Sequence, residues 1–353
     1  MPHAPPDSAD VTATRDPIRY QRVEARDAHR AAASVPPPPG RNPGGPLDLE
    51  WVLAGRVNRS AAERRAETLP KRRTVKREWQ AAWLLRAVTL IDLTTLAGDD
   101  TPGTVRRLCA KARRPVRADL LEVLGASALP IRCGAVCVYH ALVPAAVAEL
   151  EGSGIPVAAV SAGFPAGLNP LALRIAEVRA SVEAGAAEID VVITRGHVLG
   201  ARWQALHEEI RRFREACGTA HLKVILGTGE LATLTNVARA SRVAMLAGAD
   251  FIKTSTGKEA VNATLPVGLV MARAIREYQE RSGAAVGFKP AGGIRSAKGA
   301  LEWMILMKEE LGDPWLQPAL FRIGASGLLT DIERQLEHFA TGRYSAAYRH
   351  PMV

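Results

Sequence analysis

Two lysines stand where apolar residues would be expected. Lys253 lies in Phe251-Ile252-Lys253-Thr254-Ser255-Thr256-Gly257-Lys258, and Lys289 lies in Val286-Gly287-Phe288-Lys289-Pro290-Ala291-Gly292-Gly293. Each run reads as a short buried strand, and a lysine inside one is unfavourable unless it is paired or neutral. Two ammonium groups that converge on adjacent strands repel each other, and repulsion and burial both favour the neutral amine. A neutral amine is the nucleophile that forms a Schiff base with a carbonyl substrate. The competing arrangement gives each lysine its own carboxylate, or a place on the surface. Asp190, inside Glu188-Ile189-Asp190-Val191-Val192, is either a carboxylate that handles protons with Lys289 and a bound water or a structural partner for a buried Arg or Lys. Asp92, in Leu90-Ile91-Asp92-Leu93-Thr94, poses the same question and could simply support Lys289 or cap the following loop.

A second group of residues suits an anion. Gly257-Lys258, Gly292-Gly293-Ile294-Arg295 and Gly324-Ala325-Ser326-Gly327 end three successive strand candidates. Taken singly, each glycine is a turn requirement. Taken together, their backbone N–H groups at helix N-termini form a phosphate cradle.

These residues need a scaffold that brings strand ends together. From residue 90 onward, short apolar runs alternate with amphipathic helical stretches. The strand candidates are Leu90–Thr94, Ala135–Tyr139, Val157–Ala162, Glu188–Thr194, Leu222–Thr228, Phe251–Thr256, Ala285–Pro290 and Phe321–Ser326. Most are continuously apolar, as a strand covered on both faces must be. Helices are expected over Leu171–Ala184, Trp203–Cys217, Leu234–Ala247, Pro266–Arg281 and Ala297–Leu311, followed by Gly185, Gly218, Gly248, Gly283 and Gly312 as left-handed caps. Eight β-α units over residues 89–340 predict a TIM (β/α)8 barrel, whose catalytic residues sit at the C-terminal strand ends. A doubly wound open sheet is the competing fold, but Leu96-Ala97-Gly98-Asp99-Asp100-Thr101 after the first strand is no dinucleotide fingerprint, and Gly227-x-Gly229 lacks the third glycine.

Ahead of the barrel, residues 1–45 carry Pro36-Pro37-Pro38-Pro39-Gly40 and few large apolar groups, which predicts disorder with a short helix over 23–33. Residues 46–88 predict a helical extension, in which Trp79, Ala82, Trp83 and Val88 share a packing face. Residues 341–353 form a C-terminal tail. The net charge is +10, and residues 51–89 alone carry ten basic and three acidic side chains. That segment reads as a solvated arginine-rich helix face, with a nucleic-acid-associated protein as the rival reading. Nucleic acid is not expected as a partner. The four cysteines, Cys109, Cys133, Cys137 and Cys217, make neither a disulfide framework nor a zinc site. They fit reduced thiols in the cytoplasm. The N-terminal residues lack a secretory apolar stretch, and no membrane span is expected.

The segments Leu90–Thr101, Ala135–Tyr139, Val160–Gly167, Glu188–Ile193, Leu222–Leu231, Ala249–Thr264, Val286–Arg295 and Phe321–Leu329 together resemble deoxyribose-phosphate aldolases, a family of class I Schiff-base aldolases. Residues 73–83 and Thr341-Gly342-Arg343-Tyr344 resemble the longer form found also in animals. The likeness spans about residues 70 to 345. It implies reversible cleavage of 2-deoxy-D-ribose 5-phosphate to D-glyceraldehyde 3-phosphate and acetaldehyde, in deoxyribonucleotide catabolism. Lys253 would be the Schiff-base lysine, Lys289 the second lysine that lowers its pKa, and Asp190 the proton-relay aspartate. The phosphate would meet Gly257, Lys258, Gly292, Gly293, Arg295, Ser326 and Gly327. No metal or organic cofactor is implied, and a homodimer is compatible with the family. His140-Ala141 and Gly327 depart from the family pattern. Tyr344 and Tyr348 are candidates for a tail tyrosine that reaches the site. The rival enzyme is a keto-acid Schiff-base aldolase, which would want a bidentate arginine in the pocket. Arg295 is its only obvious candidate.

Overall fold

The computed structural model describes residues 40–72 and 75–351. Eight strands form one parallel sheet: β1 (Ile91–Thr94), β2 (Ala135–Tyr139), β3 (Val157–Ser161), β4 (Glu188–Val192), β5 (His221–Ile225), β6 (Phe251–Lys253), β7 (Gly287–Lys289) and β8 (Ile323–Ala325). β1 to β7 pair in sequence order and β1 also pairs with β8, so seven ladders run around the ring. Between β7 and β8 the pairing is reduced to two isolated bridges, Phe288 with Phe321 and Ala291 with Gly324. Backbone bonds from Phe288 N to Leu320 O and from Gly324 N to Pro290 O, both 2.9 Å, lie along the same seam. The result is the expected TIM barrel, nearly closed.

The core sits between this ring and the helices around it, because strands covered on both faces carry Val, Ile, Leu and Ala almost throughout. The helices Trp203–Cys217 and Ala297–Leu311 match the expected bounds, and the other three differ by a residue or two at their ends. All five glycines expected as caps have φ between +50° and +99°. β2 has its expected bounds and β1 starts one residue late, whereas β3 to β8 each end before the apolar run that announces them, because those runs continue into the loop at the barrel mouth. Gly287 has a specific packing reason. A Cβ there would lie 2.3 Å from the Phe251 ring, so β6 and β7 can pair inside the barrel only with glycine at this position.

The N-terminal extension differs from expectation at its edges. The expected disorder over 1–45 and the helix over 23–33 fall on residues 1–39, outside the described residues. Residues 40–45 are packed against the barrel. Asn42 is 3% exposed. Its Nδ2 donates to Met245 O and Ala249 O, both at 2.8 Å, and its Oδ1 accepts from Tyr278 OH at 2.9 Å. Helices then run over Leu49–Ala54, Arg59–Arg72 and Arg77–Thr89. The last buries Ala81, Leu84, Leu85, Ala87 and Val88. Trp79 is 67% exposed, so the tryptophan face is not the packing face. The aliphatic side chains at i, i+3 and i+4 set the helix phase instead.

The tail doubles back along the last helix, Leu328–Thr341. Tyr344 stacks on His338 with ring centroids 4.0 Å apart. The helix runs away from the barrel mouth for roughly 20 Å, so Tyr344 lies at the opposite end from the lysines. Tyr348 is 83% exposed. His350 is buried against Glu337, with Nε2 2.6 Å from Oε2. Its carbonyl accepts from Thr330 Oγ1 at 3.2 Å. Among the described residues no helix is long and apolar enough to cross a membrane.

Candidate active site

The side chain period of two turns alternate residues of each strand toward the barrel axis. β6 and β7 pair with Lys253 directly beside Lys289, and β4 and β5 pair with Asp190 beside Lys223. The four side chains therefore meet inside the barrel, and all are buried. Lys253 Nζ lies 2.7 Å from Asp190 Oδ2, and Lys289 Nζ lies 2.8 Å from the same oxygen. Lys289 Nζ is also 2.6 Å from Asp92 Oδ2, a charge contact without the alignment of a hydrogen bond. The two lysines are thus neither independent nor equivalent. They share one carboxylate oxygen, and only Lys289 has a second acid.

That asymmetry separates their protonation. Burial pushes the Lys253 pKa below the ordinary lysine value, Asp190 opposes this, and the charge on Lys289 pushes it further down. For Lys289 burial also acts downward, but Asp190 and Asp92 together outweigh it and raise the pKa above the ordinary value. Mutual repulsion does not neutralise both amines. It lowers the pKa of the one with fewer carboxylates. Burial alone would raise the pKa of Asp190, but Lys223, Lys253 and Lys289 bring it well below the usual carboxylate range. Lys223, Glu188 and Arg322 complete the buried set and were not singled out from sequence. Lys223 Nζ lies 3.0 Å from Asp190 Oδ1 and also contacts Glu188. Arg322 bonds Asp92 Oδ1 at 2.6 Å and Glu188 Oε1 at 2.8 Å. Each carries the same sequence signal as Lys253, a charge within or at the start of an apolar run.

Beside the lysines, Cys137, Ala158 and Val160 form a small inner cluster with Leu96, Tyr139 and Phe164. Tyr139 and Phe164 meet edge to face at 5.8 Å. Burial pushes the Cys137 thiol up, so it stays protonated beside the amines.

The anion candidates gather at the mouth above. A Cβ on Gly257 would meet Gly292 Cα at 3.8 Å, which places the loops after β6 and β7 side by side. Gly292 and Gly293 both have φ of +84°. Lys258, Gly293, Arg295, Ser326 and Gly327 are exposed. Gly327 precedes the last helix without a side-chain cap, and Leu329 N donates to Ser326 O at 3.2 Å, so the other first-turn N–H groups are the ones that suit another acceptor. The Gly257 amide is different. It donates to Glu259 Oε2 at 3.1 Å, and the Thr256 amide donates to both Glu259 oxygens at 3.0 Å. The loop after β6 is held by its own carboxylate. Among the described residues no group of three or more His, Cys, Asp or Glu could hold a metal ion.

The model of the DeoC/LacD family of aldolases matches residues 86–330. The chain belongs to this family. It is 61% identical to the human deoxyribose-phosphate aldolase over 313 residues, covering 88% of this chain and 98% of the human one. It is 60% identical to the mouse deoxyribose-phosphate aldolase over 308 residues, covering 87% of this chain and 97% of that one. Among solved structures, the tetrameric deoxyribose phosphate aldolase of Aeropyrum pernix superposes with a TM-score of 0.55 at 23% identity, covering 75% of this chain and 97% of that one. At that identity the likeness concerns the fold. This family member carries its lysine pair, its aspartates and its glycine loops on the strands and strand ends of the barrel.

Proposed function

We propose that this aldolase cleaves 2-deoxy-D-ribose 5-phosphate reversibly to D-glyceraldehyde 3-phosphate and acetaldehyde through an imine on Lys253. The observation that carries this reading is the single Asp190 oxygen shared by a depressed-pKa Lys253 and a charged Lys289. The neutral Lys253 amine adds to the C1 aldehyde, and loss of water gives the protonated imine. A bound water of the Asp190–Lys289 network takes the proton of the C3 hydroxyl, the C2–C3 bond breaks, and its electron pair moves into the imine to form an enamine. Glyceraldehyde 3-phosphate leaves. A proton returns to C2, and water releases acetaldehyde and the free amine.

The pKa order assigns the parts. Asp190, held down by three lysines, is a weak base and a strong anchor, and its carboxylate faces the positive imine nitrogen. Lys289, charged and 2.8 Å from Asp190, is the acid that can pass a proton through a bound water. Asp92 supports Lys289. Gly292, Gly293, Arg295, Lys258, Ser326 and Gly327 receive the phosphate with backbone N–H groups and two cations. Gly257 joins them once Glu259 yields its amide. Arg295 lies on the exposed rim and Arg322 is committed to Asp92 and Glu188. A keto-acid carboxylate would therefore lack a free arginine beside Lys253. A cytoplasmic, self-associating enzyme without metal or organic cofactor is the setting this reading implies. A homodimer gives twice the chain mass in light scattering.

Borohydride reduction in the presence of deoxyribose 5-phosphate, followed by peptide mass mapping, tests the assignment. The expected label is on Lys253, with weaker labelling from unphosphorylated deoxyribose. A label on another lysine, or none, overturns it.

A further inference from the structure

Beneath the reacting amine lies a layer of charge that the bond-breaking steps do not touch. Arg322 precedes β8, and its Nε donates to Pro318 O. Its Nη1 reaches Asp92 at 2.6 Å and its Nη2 reaches Glu188 at 2.8 Å. Glu188 holds Lys223, which reaches Asp190 Oδ1 at 3.0 Å. Contacts therefore run unbroken from a backbone carbonyl outside β8 to the carboxylate that holds Lys253. They follow two routes, one through Asp92 and Lys289 and one through Glu188 and Lys223. All these side chains are buried, where an unbalanced charge is costly.

The ionisable groups facing Lys253 come from nearly every strand. β1 supplies Asp92, β2 Cys137, β4 Glu188 and Asp190, β5 Lys223, and β7 Lys289, with Arg322 before β8. β3, Val157–Ser161, supplies no charged side chain. The Cys137 thiol is neutral. The three carboxylates are matched by Lys223, Lys289 and Arg322, so the buried set is formally balanced when the Lys253 amine carries no proton. A proton on Lys253 makes it cationic by one.

We propose that Arg322 and Glu188 are positioning residues for the reaction: they clamp Asp92 and Lys223 and set the charge of the barrel interior so that the Lys253 amine is held neutral. This rests on reading Lys253 as the imine-forming amine. Neither residue touches the substrate. Each acts through the balance of charge, and the consequence is reciprocal. Removing Arg322 leaves an excess of negative charge, which retains a proton on Lys253. Removing the Glu188 charge has the opposite effect.

The experiment measures kcat/KM, and borohydride trapping at Lys253, across pH in the full-length enzyme and in Glu188→Gln, Arg322→Met, Arg322→Lys and the double variant E188Q/R322M. Activity rises with pH as Lys253 loses its proton, so the acid limb reports that amine. The limb is expected to move down by about one pH unit in E188Q and up by about one in R322M. It should return toward wild type in the double variant and stay in place in R322K. A fall in kcat with an unmoved acid limb in E188Q overturns the proposal, because a purely structural role predicts that result. If R322M does not fold, E188Q and R322K decide the matter between them. Absence of trapping on wild-type Lys253 is a different failure, and it removes the functional reading itself.

Discussion

The floor and the rim of the barrel are built on opposite principles. On the floor, seven charged or chargeable side chains are buried and interlocked by contacts of 2.5–3.0 Å. At the rim, the anion candidates are glycines, exposed cations and helix N-termini. A buried network fixes protonation because every charge there is costly without its partner. An open rim contributes uniform binding that can be altered without disturbing the chemistry. The two tasks proposed for this aldolase, activating an amine and holding a phosphate, would thus be separated in space and in kind.

Replacing Lys253 makes the harshest break in that comparison. Lys253→Leu should lower kcat by about 10⁴-fold or more, as loss of a covalent nucleophile does, while phosphate affinity at the rim is retained. Inorganic phosphate protection against limited proteolysis would check the second half. Next comes Lys289→Leu. Rate should fall by about 100-fold or more, and the acid limb of the pH profile should move to higher pH. The sign follows from charge: without the Lys289 cation, protonating Lys253 is easier, so a higher pH is needed to free the amine. An unmoved limb would separate Lys289 from the activation of Lys253. The mildest break is Arg295→Ala. KM for deoxyribose 5-phosphate should rise by about 10-fold to 100-fold with kcat nearly unchanged and with no effect on unphosphorylated deoxyribose. A matching fall in kcat would show that rim and floor are coupled.

Much of this was legible in the sequence. Continuous apolar runs gave way to polar residues at the point where each strand meets the mouth, and Lys253, Lys289 and Asp190 stood out as charges inside such runs. Lys223 in His221-Leu222-Lys223-Val224-Ile225 and Arg322 in Phe321-Arg322-Ile323 bear the same mark. What a linear reading lacks is the register that brings β5 beside β4 and β8 beside β1, and so it cannot say which acid answers which base. Asn42 illustrates the same limit more strongly. Its polar contacts come from residues 245–278, about two hundred positions away, and nothing in Arg41-Asn42-Pro43-Gly44 announces burial. The Trp79 face misled because tryptophan outweighs leucine in apolar character, whereas the helix phase follows the greater number of aliphatic contacts.

The weak pairing of β7 with β8 has a consequence for Asp92. Seven strand boundaries are laced by backbone ladders, and the eighth by two bridges. Lys289 comes from one side of that gap and Arg322 from the other, and Asp92 grips both. The ring is therefore fastened at its last joint by a side chain as well as by a few main-chain bonds. Asp92 acts as a clasp, and its loss should be felt first as opening of the hoop, with faster amide exchange at Phe288 and Gly324 than at any other strand boundary.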